Sequence, residues 1–570
     1  MTTEDDDLNR PARPPSPDGD PPEESRPPHA VPDASGRGRD ASGRGRDTSG
    51  STRPDGPEPG TPGRPDGSEQ HERTAPSHRG TAEAKQRHTA EIPAPRDPKA
   101  SAPPAKPPGA HGPHTQGGQH HGPHFSRRAG LLCGLVGALA VLAAGLVSQI
   151  HPSAPYHALA ADCGRDDLVI AGGTDVSLKA QRRALVKQWN ASTYPDGHPH
   201  RHARLVEVSD STDLQHSQLA AVEQSGGCAY DVLIMDNTWT AQFAEAGYLK
   251  EIHDLPSPAD FIPAALRTGQ WHGAQYAVPF NVDVGLLYYR EGTTPPARWS
   301  DLLAQGYDAQ FADYEGLTVN VLEDVWNDGA ENVLTGNARA DEDALGDRVF
   351  PAVRRLTARV QGPLKASRQY QEQDAINAFA DGDKLMRNWP YAFSALATEP
   401  RMRADGDRLR FHVAPLPGHT VLGGQNLAVS AHSPNPGPSA DLVRFLSGTA
   451  AQRQLFSCGG FAPARYSALG LTPRRHAPED VQARSCSVLM GRPAAPGDPD
   501  RPNQQQLAEL GRAIVTALGR ALPRPVTEHY PVFSATFREC ANKVFDGTAG
   551  SADTFARVVA DALKGRPSTC

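Results

Sequence analysis

The chain has 570 residues and a net charge of −8, and only 37% of its residues are hydrophobic. This argues against a polytopic membrane protein, and against a nucleic-acid binder, which needs a basic surface to neutralise phosphates. Glycine and proline, 54 of each, make up nearly a fifth of the chain, and seven cysteines are too few for a disulfide-built miniprotein.

Residues 1–128 hold 24 of the 54 prolines, and their only aliphatic branched residues are Leu8, Val31 and Ile92. Such a segment cannot bury enough apolar surface to offset the entropy of ordering its backbone. It is predicted to be a disordered, Pro/Gly-rich arm. The repeat DASGRGR (Asp33–Arg39, Asp40–Arg46) resembles arginine-rich nucleic-acid segments, but interleaved Asp40, Asp47 and Asp55 dilute its field. The histidines of His111–His124 suit a metal by residue type, yet a solvated linker is the simpler reading, and no metal or cofactor is expected.

Ala129–Val147 (AGLLCGLVGALAVLAAGLV) carries no charge over 19 residues. At about 1.5 Å per residue, a helix of that length nearly spans a hydrocarbon core of about 30 Å. Arg127 and Arg128 precede it, and no further charge follows until Asp162. The positive-inside rule then keeps the arm cytoplasmic and places the remainder outside. An uncleaved single-pass anchor (129–147) followed by a linker (148–165) is favoured. A twin-arginine export signal, cleaved after Ala158-Leu159-Ala160, is the rival. Either way the remainder is exported. Six cysteines follow the apolar run, in a compartment where disulfides persist. Fifteen connectivities are open to them, pairing of sequence neighbours (163–228, 458–486, 540–570) being one.

From Asp166 onward, strand and helix patterns alternate. Leu168-Val169-Ile170-Ala171 is a short apolar run without polar alternation, as in a strand covered on both faces. It ends in Gly172-Gly173-Thr174-Asp175, and Leu178, Leu185, Val186 and Trp189 then form a helical stripe. A second unit runs from Tyr230–Met235 through Asp236-Asn237-Thr238-Trp239 into a helix over Ala241–Leu249, with Thr238 as N-cap. Such units build an open parallel sheet, and ligands sit beyond the carboxyl ends of its strands. That rule selects Gly173, Thr174, Asp175, Asp236, Asn237 and Trp239, although the glycines also suit a turn and Thr174 or Asp175 a helix cap. No P-loop or dinucleotide fingerprint follows these turns. No GxSxG, HExxH or kinase signature appears, so no catalytic residue is assigned.

Six segments then resemble, in order, bacterial extracellular solute-binding proteins of the maltose-binding type, the receptors of ABC importers. They are YDVLIMDNTWTAQFAEAGYL (Tyr230–Leu249), WHGAQYAVPFNVDVGLLYYR (Trp271–Arg290), FADGDKLMRNWPYAF (Phe379–Phe393), PLPGHTVLGGQNLAVS (Pro415–Ser430), FSCGGFAPAR (Phe456–Arg465) and RPVTEHYPVF (Arg524–Phe533). In the third, the spacing from Met386 to Trp389 is one residue shorter than the family's.

The resemblance covers about 166–566 and implies a two-lobed, periplasmic-binding-protein-like α/β fold of type II. One lobe would combine 166–278 with 422–475, the other 284–415 with 485–566. It implies a carbohydrate receptor, with permease subunits as partners, bound to the cell membrane with its binding domain outside. For ligand contact the resemblance points to Asp236, Trp239, Asn281, Asp283, Trp389, Tyr391, Gly423, Gly424 and Arg465, and to Trp326 by analogy with a helix that touches ligand in some relatives. Trp389 and Tyr391 offer aromatic faces for sugar C–H surface. Charged groups would bind the hydroxyls. An oligosaccharide is the expected solute. A polyamine held by Asp175, Asp236 and Asp283, and a sensor or scaffold working through the arm, are the alternatives.

Overall fold

The computed structural model describes residues 163–337, 341–492 and 501–570. The expected arm (1–128), the transmembrane segment (129–147) and the linker up to Asp162 lie outside the described residues. Among the described residues, no helix is long and apolar enough to cross a membrane.

The chain begins with strands β1 (Leu168–Gly172), β2 (Ala203–Glu207) and β3 (Val232–Asp236). After a short hairpin come β4 (Ala277–Pro279), β5 (Asp283–Val284) and β6 (Leu286–Arg290). Then follow β7 (Leu385–Asn388), β8 (Phe411–Pro415), β9 (Thr420–Gly423), β10 (Gln425–Val429) and β11 (Ala521–Pro523).

The first sheet has the order β2-β1-β3-β10-β4. β1 pairs in parallel with β2 and β3, as the alternating units predict. β10 departs from the expected all-parallel sheet. It returns from the far half of the molecule and slots between β3 and β4, antiparallel to both. Leu168, Ile170, Val232 and Ile234 face one core with Leu185 and Trp189 of the helix Gln181–Ala191. Ala171, Leu233, Met235 and Ala428 face another with Leu219 and Phe243. Burial on both faces is why these strands read as unbroken apolar runs.

Two local expectations shift. Leu178 precedes its helix, because Lys179 and Ala180 adopt positive φ and delay the start to Gln181. The cap after β3 is Asp236, whose Oδ1 accepts from the Thr238 N–H at 2.9 Å. A 3₁₀ turn over Asn237–Trp239 then leads into a helix that stops at Glu245, with Gly247 at φ 73° beyond it.

The second half is built on an antiparallel sheet, β8-β6-β7. The helices Glu315–Val325, Phe350–Val360, Tyr530–Phe545 and Ala552–Ala562 gather Leu322, Val353, Phe537 and Phe555 around Leu287 and Leu385. Between the halves lies a small sheet, β11-β9-β5. It holds the outgoing crossing (β4 to β6) and the return crossing (β9 to β10) side by side. Gly424 sits in the return crossing at φ 121°. A Cβ there would lie 2.5 Å from the Asn281 carbonyl oxygen and 2.8 Å from the Val282 Cα, so only glycine lets the two crossings touch.

The six exported cysteines pair with their sequence neighbours, Cys163–Cys228, Cys458–Cys486 and Cys540–Cys570, with Cα separations of 5.5, 4.8 and 5.2 Å.

Gly424→Ala is expected to destabilise the fold by about 1–3 kcal/mol from backbone strain alone, with the clash adding to that. Gly437→Ala is the control: its Cβ meets nothing within 4 Å on an exposed helix, and its melting temperature should hold or rise slightly. Thermal denaturation of both variants checks the contrast.

Candidate functional site

A cavity of about 240 Å³ opens at the carboxyl ends of β1 and β3, facing the second half. Each wall follows from a chain element. Gly173 and Thr174 leave β1, Asp236 ends β3, Asp283 opens β5, and Gly423-Gly424 link β9 to β10. From the other half come Glu315 and Glu372, each the first residue of a helix, and Trp389 and Tyr391 just beyond β7. Of the sequence-selected residues, Thr174, Asp236, Asp283, Trp389, Tyr391, Gly423 and Gly424 therefore meet here. A larger cavity of about 560 Å³, bounded by Trp271, Pro523 and Val526, has Arg267 and His272 as its ionisable groups and no carboxylate. The smaller one has the converging polar groups expected of a binding site.

Five selected residues lie outside the cavity wall, each with other partners. Asp175 caps the following helix, accepting from the Ser177 and Arg182 N–H groups at 3.0 Å. Trp239 is 4% exposed and packs edge-on to His216. Asn281 is buried and donates to Asp283 Oδ2 at 3.0 Å, one layer behind the wall. Trp326 is a core wedge whose Nε1 donates to the Val333 carbonyl at 2.9 Å. Arg465, expected at the rim, lies over the Phe261 ring at 3.7 Å and donates to the Ser447 carbonyl and to Asp260. The Gly459-Gly460 turn presents Phe461 to the cavity instead, 6.2 Å from the Tyr391 ring.

The sequence reading missed Arg182, Glu315, Glu372 and Arg524. Arg524 joins the two halves: Nη2 donates to Asp236 Oδ1 and Asn237 Oδ1 at 2.9 Å, and Nη1 to Glu315 Oε1 at 2.7 Å. Burial opposes its charge, but Asp236, Tyr530 and Glu315 outweigh that and hold its pKa above the ordinary arginine range. Tyr530 and Ser534 also donate to Glu315. The only sequence signal for Arg524 was its place at the head of RPVTEHYPVF. Glu315 and Glu372 carried none, since acidic residues are common in first helical turns.

Trp389 is held on three sides. The Arg387 guanidinium stacks on its ring at 3.9 Å, its Nε1 donates to Glu372 at 3.4 Å, and its carbonyl accepts from the Tyr288 hydroxyl at 2.8 Å. Gly423 leaves it room, since a Cβ there would touch the indole at 3.4 Å. Asp283 lies on the floor. Burial pushes its carboxyl up to about 7, against the Asn281 hydrogen bond, and Oδ1 has no partner. Aromatic faces beside carboxylates and guanidiniums suit a small solute with both C–H surface and hydroxyls.

A compact cavity set between two α/β halves and beside two chain crossings is the layout of a solute receptor. Residues 200–482 match the model described as "Bacterial extracellular solute-binding protein", and this segment belongs to that family. A curated relative from Deinococcus radiodurans, "Probable ABC transporter-binding protein", is 30% identical over 291 residues. That alignment covers 44% of this chain and 66% of the relative, slightly under two thirds of its length. Among solved structures, maltose-bound T. maritima MalE3 superposes with a TM-score of 0.55 at 21% identity, over 70% of this chain and 99% of that one. A Thermotoga lettingae ABC transporter solute-binding protein bound with α-D-tagatose gives 0.54 at 18% identity, again over 70% and 99%. The GacH receptor of Streptomyces glaucescens gives 0.51 at 19%, over 70% and 98%. These likenesses establish the periplasmic-binding-protein-like fold.

Arg524→Met removes the shared partner of two carboxylates, and breaking a buried pair in this way costs about 3–5 kcal/mol. Chemical denaturation should show a loss of that order. Asp283 makes the opposite prediction. Its folded-state pKa lies above the unfolded value of about 3.9, so its charge costs stability progressively between there and about 7, and fully above. Asp283→Asn should therefore raise the melting temperature at pH 8, with the gain vanishing towards pH 4.

Proposed function

We propose that this chain is a membrane-anchored receptor that captures a carbohydrate outside the cell, in the oligosaccharide size range, and delivers it unaltered to the permease of an ABC importer. The observation that carries this reading is the cavity itself. Trp389 and Tyr391 flank it from one half, Asp236 and Asp283 from the other, and the crossings at Asp283 and Gly423-Gly424 run through its floor. Membership of a solute-binding family and the relative named as a probable ABC transporter-binding protein support a receptor rather than an enzyme. The maltose- and tagatose-bound neighbours favour a sugar.

In this reading the division into lobes follows the two main sheets, about 166–278 with 422–475 and 284–415 with 485–566. Closure about the crossings buries the solute, and contacts made to both halves at once supply the preference for the shut state. Residues 129–147 tether the domain, with the N-terminal arm in the cytoplasm. Thr174, Asp236, Asp283, Trp389, Tyr391, Gly423 and Gly424 are the proposed contact residues, joined by Arg182, Glu315, Glu372 and Arg524.

Maltose and maltotriose should raise the melting temperature of the intact chain, by the equivalent of about 2.7 kcal/mol at 100 times Kd. The sugar should be recovered unaltered. Trp389→Ala should weaken the affinity about 30-fold, the loss expected of a buried aromatic anchor. Release of cleaved sugar would replace the receptor by an enzyme, and unchanged affinity in the variant would remove Trp389 from the site.

A further inference from the structure

We infer that this cavity recognises a protonated amine on its ligand, so that the solute is an amino-substituted sugar rather than a neutral one. The inference rests on the carbohydrate reading above and deepens it.

Five carboxylates line the cavity (Asp210, Asp236, Asp283, Glu315 and Glu372) against two guanidiniums, Arg182 and Arg524. Both cations are committed. Arg524 is paired with Asp236 at 2.9 Å and Glu315 at 2.7 Å. Arg182 donates to the Gly173 carbonyl at 3.0 Å and to Gln425, and its nearest acid is Asp175 at 3.9 Å. Arg387, beneath Trp389, is bound to Glu323. Among the described residues, Asp283 and Glu372 are therefore left without an ion pair.

Asp283 is the more telling of the two. Oδ2 accepts one hydrogen bond from Asn281, while Oδ1 is sealed from solvent and has no partner. Asn281, 3% exposed, likewise has an unpartnered Oδ1. A hydroxyl from a neutral sugar would satisfy one lone pair and leave the charge uncompensated. An ammonium brings three donors and cancels the charge, and hydrogen bonds between ionised partners are the stronger kind. Tyr314 and Tyr391, both close enough to Glu372 for its charge to bear on their hydroxyls, line the same wall and add aromatic surface that favours a cation. A linear polyamine fits less well, because it would bring several charges up to Arg182 and Arg524.

The test titrates the intact chain calorimetrically with the trimer of glucosamine, its N-acetylated counterpart, maltotriose and spermidine. The glucosamine trimer should bind at least about 10-fold more tightly than the acetylated trimer or maltotriose, as one extra charged hydrogen bond implies. In Asp283→Asn and in Glu372→Gln this selectivity ratio should collapse towards one, and the two independent variants guard against a folding defect in either. Maltotriose binding as tightly as the glucosamine trimer would overturn the inference and leave the carbohydrate reading standing. Binding of spermidine alone, or of no saccharide at all, would overturn both.

Discussion

The Arg387–Glu323 ion pair is the contact on which the site's geometry depends. Both side chains are wholly excluded from solvent and meet through two hydrogen bonds, at 2.7 and 3.0 Å. Glu323 Oε1 also accepts from the Thr420 hydroxyl and the Val421 N–H, which fastens the return crossing to the helix Glu315–Val325. The other side of the guanidinium supports the Trp389 ring. A buried pair of this kind repays its desolvation only when the remaining lone pairs are satisfied, and here strand, crossing and helix all contribute. Gly285 completes the arrangement, because a Cβ would come within 2.7 Å of Glu323 Oε1 and 2.9 Å of Arg387 Nε. Binding surface and hinge thus share one polar anchor.

Arg524 plays the complementary part. It lies on the third passage between the halves and bonds to both, so the relative position of Asp236 and Glu315 is tied to one guanidinium. Arg538 adds a more solvated link, from the helix Tyr530–Phe545 to Asp213 in the first half. Exposed pairs of that sort contribute little, so most of the polar coupling across the cavity falls on Arg524.

The legible parts of the fold were those written in contiguous residues. The apolar runs at Leu168 and Tyr230 declared covered strands, and the NWPY stretch declared an aromatic pair, because local composition decides both. Pairing of neighbouring cysteines was one option among fifteen, and the chain alone did not choose it. Sites assembled from distant segments were harder. Arg465 and Arg524 look alike in sequence, each near a proline and a turn, yet one turns to Asp260 and the other to the cavity, because the packing of separate elements aims them. Trp326 reads as a ligand residue or a core residue equally well until the Val333 carbonyl is seen to take its N–H. The antiparallel insertion of β10 has no local signature either: its residues read as any buried strand, and only the return of the chain from the second half gives its direction.

That insertion bears on how the molecule is made. Until the chain has emerged past Val429, the first sheet has a gap at its centre, with β3 presenting an unpaired edge that the strand nearest in sequence, β4, does not fill. Such edges invite pairing with other chains. Assembly must therefore wait for contacts of long sequence separation, which form slowly. A chain crossing a membrane amino terminus first would expose that open seam for as long as the whole intervening half takes to arrive, which makes export, rather than the finished fold, its most aggregation-prone stage.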